Sequence, residues 1–118
     1  FQIKDDLFDL LGSESDTGKN GGGDVKQNMI TLPLIFSKVN MSRLEYRELK
    51  KLLRTKKKNR SILKKISDMV EEAGGIDYAK KKLDELSEIA VNAINVYPES
   101  DVKRSLIDLV AFNASRVK

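Results

Sequence analysis

The chain has 118 residues, no cysteine and no histidine, and its 22 Lys and Arg against 18 Asp and Glu leave a net charge of +4. That length suits one domain or one part of a larger one. The missing residue types exclude disulfides, thiolate metal sites and cysteine or histidine catalysis, a composition that fits a cytoplasmic protein. No apolar run approaches the roughly 18 residues needed to span a bilayer.

The first predicted helix runs to about Leu11 and opens Phe1-Gln2-Ile3-Lys4-Asp5-Asp6-Leu7-Phe8-Asp9. At about 100° per residue, Asp5, Asp9 and Asp6 fall near 0°, 40° and 100° around the axis, with Gln2 between them near 60°. Ile3, Leu7, Leu10 and Leu11 take the opposite arc. Like charges this close repel on a helix, and the C-terminal end of the macrodipole disfavours them further. A bound cation would relieve both penalties. Carboxylates are ligands of hard cations, and magnesium takes one or two of them together with waters and substrate phosphates. The plainer reading is a solvated acidic face with partner lysines.

Residues Gly12–Asp24 contain no apolar side chain and five of the seven glycines. Such a stretch buries nothing and is expected to be a flexible loop. Its Gly18-Lys19 pair sets an ammonium among backbone donors, which suits a phosphate-bearing ligand, although the spacing is not that of a P-loop.

Only helices are predicted beyond the loop. Thr31 can cap a second, Leu32 to Val39, with Pro33 in its first turn. Ser42 and Glu45 make a capping box for a third, Arg43 to Thr55. A fourth, Arg60 to Ala73, carries the stripe Ile62, Leu63, Ile66, Met69 and Val70 and stops at Gly74-Gly75. A fifth, Asp77 to Val96, is expected to bury Ala79, Leu83, Leu86, Ile89, Ala90, Ala93, Ile94 and Val96. Ser100 caps a sixth whose Val102, Leu106, Leu109, Val110 and Phe112 point inward. Tyr78 and Tyr97 read as packing residues at helix boundaries. The basic run from Lys50 to Lys65 reads as a solvated corner. It has no aromatic residue for base stacking, so no nucleic acid is expected, whereas weak contact with a membrane surface stays open.

Taken in order, Phe-Gln-x-x-Asp-Asp-x-x-Asp, the loop Gly-Lys, Asp24 and Thr31-Leu32-Pro33-Leu34 resemble the second half of a trans-prenyltransferase. This is the family of polyprenyl diphosphate synthases, and the octaprenyl type is similar. The resemblance is densest over residues 1–36. It continues through Gly74-Gly75-Ile76-Asp77-Tyr78-Ala79 to the basic end Arg116-Val117-Lys118.

The resemblance implies an all-α fold, this chain being the C-terminal helices of an isoprenoid-synthase helical bundle, with loop 12–24 over the active site. It implies Mg2+-dependent condensation of isopentenyl diphosphate with an allylic diphosphate to give a longer polyprenyl diphosphate, by a homodimeric enzyme. Asp5, Asp6 and Asp9 would be the metal ligands. Lys19 would contact the allylic diphosphate, and Gln2 would face the same cavity. Asp24 would either support the metals from behind or cap the following segment. Met29 stands where many relatives carry a lysine, and Lys26, one helical turn earlier, would cover part of that role. Phe8 would line the prenyl tunnel or simply pack. Arg116 and Lys118 would fold over the isopentenyl site or fray as a tail, fraying being the expected state in a fragment.

The family's other aspartate motif does not occur among these 118 residues. The chain is therefore expected to be the C-terminal fragment of a longer enzyme and inactive alone. A non-catalytic or regulatory prenyl-synthase-like subunit is the alternative.

Overall fold

The computed structural model describes residues 1–11, 25 and 30–116. Among these the chain is helical without strands: α1 (Gln2–Leu11), α2 (Leu32–Asn40), α3 (Arg43–Leu53), α4 (Arg60–Glu72), α5 (Gly75–Asn95) and α6 (Asp101–Ser115).

Caps account for most of the boundaries. The Ser42 hydroxyl accepts from the Glu45 N–H (3.3 Å) while the Glu45 carboxylate accepts from the Ser42 N–H (2.7 Å), closing the expected capping box. Those bonds hold the Glu45 carboxyl below its ordinary value. Ser100 caps α6 through the Lys103 N–H (3.1 Å). Asn59, which the sequence reading passed over, caps α4 through the Ile62 N–H (2.9 Å). Thr31 is the N-cap residue of α2, yet its side chain makes no capping bond. The third helix ends at Leu53, short of Thr55, as Arg54 closes it with a tightened turn. The fifth starts at Gly75, ahead of Asp77, because the left-handed Gly74 (φ 75°) ends one helix and opens the next with no linker.

The core joins Leu7 and Leu10 of α1, Val25, Leu34 of α2, Leu49 of α3, Ile66 and Val70 of α4, and Ile76 and Ala79 of α5. The expected α4 stripe is thus buried or packed against the core. At the other end the expectation fails. Leu86, Ile89 and Val96 of the predicted fifth-helix face are exposed, and so are Val102, Leu106, Leu109 and Phe112 of α6. Here α6 has α5 as its main partner. On α6 the partly buried Ile107, Val110 and Ala114 share a narrow arc, and much of its apolar surface is left outside. Lys103 is buried instead. Its ammonium donates to the Tyr97 carbonyl (3.0 Å), the Asn95 carbonyl (3.4 Å) and the Glu99 carboxylate (2.5 Å), closing the C-terminal end of α5. Cations are favourable at such ends.

Gly75 fixes how α2 crosses α5. A Cβ there would lie 2.2 Å from the Ser37 hydroxyl and 2.4 Å from the Pro33 carbonyl. The buried Ser37 hydroxyl donates its one proton toward the Pro33 carbonyl (2.8 Å) and the Val70 carbonyl (3.2 Å), tying α2 to α4 at the same point. Next to it the Phe36 and Tyr78 rings stack, with centroids 4.0 Å apart and planes 7° apart. Gly75→Ala must spread this crossing, and overpacking of this kind costs about 1–3 kcal/mol or more. Gly74→Ala meets only the strain of a positive φ, about 1 kcal/mol. Thermal denaturation should rank Gly75→Ala as clearly the worse; equal midpoints would remove the steric account.

Candidate active site

Burial of Leu7 and Leu10 turns the acidic arc of α1 away from the core, but the three aspartates do not share one environment. Asp6 is buried at 7% exposure, and the Gln2 side-chain amide donates to its Oδ1 at 2.7 Å. Gln2 therefore orients an aspartate. Asp9 is half-buried. Asp5 keeps a side-chain exposure of 55% and is ion-paired with the Arg116 guanidinium, itself only 18% exposed.

That ion pair brings the last turn of α6 onto the start of α1. The guanidinium carbon lies 5.7 Å from the Phe1 ring centroid and 5.3 Å from that of Phe8, within cation–π range. The Lys4 ammonium donates to the Ala114 carbonyl (2.8 Å) and stands 5.1 Å from the Phe8 centroid. Arg116 is therefore no frayed tail residue. A guanidinium held by a carboxylate and two aromatic faces loses its rotamer freedom for good reason. The only signal in the sequence was the basic end of the chain, which says nothing about which carboxylate it meets. Phe8, for its part, packs against these two cations. Among the described residues, Arg116 Nε and Asn113 Oδ1 are buried without a hydrogen-bond partner.

The donor set is all oxygen, which suits a hard cation, and Asp5 is open to solvent. Among the described residues no group of three or more acidic side chains is placed to hold a metal ion on its own. The α1 carboxylates are thus not gathered into a three-residue cation site by the described residues alone. Lys19, Asp24, Lys26 and Met29 lie outside the described residues, as do Val117 and Lys118.

Comparison with known proteins agrees with this architecture. The family model described as polyprenyl synthetase matches residues 1–70. The chain is 30% identical over 118 residues to the all-trans-nonaprenyl-diphosphate synthase (geranyl-diphosphate specific) of Rhodobacter capsulatus, covering 100% of this chain and 36% of that protein. It is 29% identical over 116 residues to the octaprenyl diphosphate synthase of Haemophilus influenzae, covering 98% of this chain and 35% of that protein. Among solved structures, the geranylgeranyl pyrophosphate synthetase from Pyrococcus horikoshii superposes with a TM-score of 0.88 at 27% identity, over 98% of this chain and 35% of the other. A Caulobacter crescentus polyprenyl synthase complexed with calcium and isoprenyl diphosphate gives 0.86 at 22% identity, over 99% and 36%. The chain thus spans about a third of the length of these relatives, and it belongs to the polyprenyl synthetase family.

The contact between the two ends of the chain can be weighed directly. Asp5→Asn and Arg116→Gln should each lower stability in urea denaturation, with a coupling in the double-mutant cycle of about 0.5–1 kcal/mol that fades at high salt. Strictly additive losses would mean that the pair carries no energy of its own.

Proposed function

For this member of the polyprenyl synthetase family we propose that the chain supplies the second aspartate-rich wall of a prenyltransferase site. The reaction is the condensation of isopentenyl diphosphate with an allylic diphosphate to give a longer polyprenyl diphosphate. The observation that carries the proposal is the α1 ridge itself, with Asp6 held by Gln2 at one end of the arc that Asp9 and Asp5 continue. The named activities of the relatives support the same reaction, and the Caulobacter protein, complexed with calcium and isoprenyl diphosphate, supports use of a divalent cation together with a diphosphate.

Asp5, Asp6 and Asp9 would hold magnesium, which when bound neutralises a diphosphate and acts as a Lewis acid on it. Gln2 keeps Asp6 in one rotamer, so the ridge is set before ligand arrives. Lys19 would bring an ammonium to the allylic diphosphate, with Lys26 and Asp24 as further candidates for that substrate. Arg116, held by the rings of Phe1 and Phe8, keeps a further positive charge at the edge of the ridge. Departure of the diphosphate then leaves an allylic cation for the alkene of isopentenyl diphosphate to attack. The new bond forms carbon to carbon, and the cation that results gives up a proton to the released diphosphate, restoring an alkene. Fixed cations aimed at the charge that develops are the catalytic device, so no side-chain nucleophile is required. A facing wall from outside these 118 residues, in a homodimeric cytoplasmic enzyme, completes the reading, and the chain alone is expected to show no turnover.

Calorimetric titration of the chain with magnesium and a non-hydrolysable allylic diphosphate should give binding that needs the metal. Asp5→Ala and Lys19→Ala should each weaken it by about 10–100-fold. Binding indifferent to both substitutions would overturn the assignment.

A further inference from the structure

The charge of this chain is strongly segregated. Eleven of its 22 Lys and Arg, but two of its 18 Asp and Glu, fall between Arg43 and Lys65, a net +9, while the rest of the sequence nets −5. Those residues form α3, the turn after it and the start of α4. On α3, Arg47, Lys50, Lys51 and Arg54 with Thr55 line a concavity of about 470 Å3. At 100° per residue these four cations occupy one arc of roughly 100°, opposite the face that buries Leu49.

The nearby anions are already engaged. Glu48 pairs with Lys65 at 2.5 Å, Asp68 with Lys64 at 3.1 Å, and Glu45 closes the capping box. Among the described residues the side chains of Arg47, Lys51 and Arg54 make no ion pair, so their field acts outward. The turn that follows adds Lys56 and Lys57, and α4 opens with Arg60.

We propose that this α3 corner docks on an anionic membrane surface. Clusters of four to eight Lys and Arg at a surface bind acidic lipid headgroups, each cation adding to the attraction within a Debye length. The corner offers little to a nucleic acid. Between Arg43 and Lys65 the one aromatic ring, Tyr46, is taken up by the Lys38 and Lys50 ammoniums at 5.5 and 5.4 Å, and the one side-chain amide, Asn59, has its oxygen engaged in capping α4. The identity of the partner rests on the reading above in one respect: a polyprenyl diphosphate is an amphiphile whose long apolar tail leaves water for a bilayer, so its producer gains by sitting there. None of the described helices is long and apolar enough to cross a membrane, which leaves electrostatic docking as the mode this surface supports.

Vesicle sedimentation of the chain, without metal or diphosphate, tests the docking independently of the reaction. Vesicles of phosphatidylcholine with about 30% phosphatidylglycerol should bind the chain, and pure phosphatidylcholine should not. Lys51→Gln/Arg54→Gln should weaken partitioning about tenfold or more, whereas the exposed α5 pair Lys80→Gln/Lys81→Gln should change it little, and about 0.5 M NaCl should abolish it. Helical content by circular dichroism, unchanged in both variants, secures the comparison. Equal loss in both variants, equal binding to neutral vesicles, or tighter binding to duplex DNA than to anionic vesicles would each overturn the proposal. Inorganic diphosphate displacing the chain at equal ionic strength would reassign the concavity to a small anion. Failure in any of these ways leaves the aspartate ridge untouched, and failure of the diphosphate titration leaves the docking intact.

Discussion

The closeness of α2 and α5 is the constraint on which the remaining geometry hangs. Only a residue with no side chain fits between the Ser37 hydroxyl and the Pro33 carbonyl, and Gly75 stands there. Because Ser37 also reaches the Val70 carbonyl, one point sets the positions of three helices. Gly74 supplies the reversal that lets α5 leave α4 without a linker, since its φ of 75° is reached cheaply by glycine alone. α1 then packs on α2 and α5, and the direction of its acidic arc follows. The aspartate ridge is in this sense aimed by a glycine some seventy residues downstream in the chain, with no bond between them.

Repulsion along that ridge is relieved unevenly. Burial strips water from Asp6, and the Gln2 amide donor offsets part of that loss. Asp5 receives a guanidinium. That pair is half-exposed, and such a pair is worth little in water. The Phe1 and Phe8 rings give Arg116 a reason to stay near Asp5 that does not depend on that pair, so the positive charge remains at the ridge when a competing cation or an anion arrives.

The same chain holds its surplus positive charge elsewhere. An acidic α1 and a basic α3–α4 corner could neutralise each other if they touched, yet α3 packs chiefly on α4 and α1 on α2 and α5. The 53 Å long axis of the molecule gives room for such separation. Beyond a Debye length of about 8–10 Å in physiological salt the two patches act independently. The two proposed roles, a metal with a diphosphate at the ridge and an anionic plane at the corner, would then not cancel each other.

How much of this could be read from residues alone depends on the range of the interaction. Caps are local: Ser42 with Glu45, and Ser100, are written within four residues, and they set α3 and α6 as expected. Asn59 obeys the same rule and could have been found by it. The α4 stripe was equally legible, because a 3.6-residue period states which side is apolar. Periodicity does not state what covers that side. On α5 and α6 it marks Leu86, Ile89, Leu106 and Phe112 as a face, and the chain buries that face only in part. Lys103 escapes the pattern altogether. A lysine is classed as polar, but with an aliphatic stem to lay along the helix and three carbonyl or carboxylate acceptors at the end of α5, its burial is favourable once the two helices meet. The Arg116–Asp5 pair is the extreme case. Its partners are 111 residues apart, and nothing in either neighbourhood names the other. Only a fold that brings the last turn of α6 against the first turn of α1 can turn a basic terminus and an acidic motif into one contact.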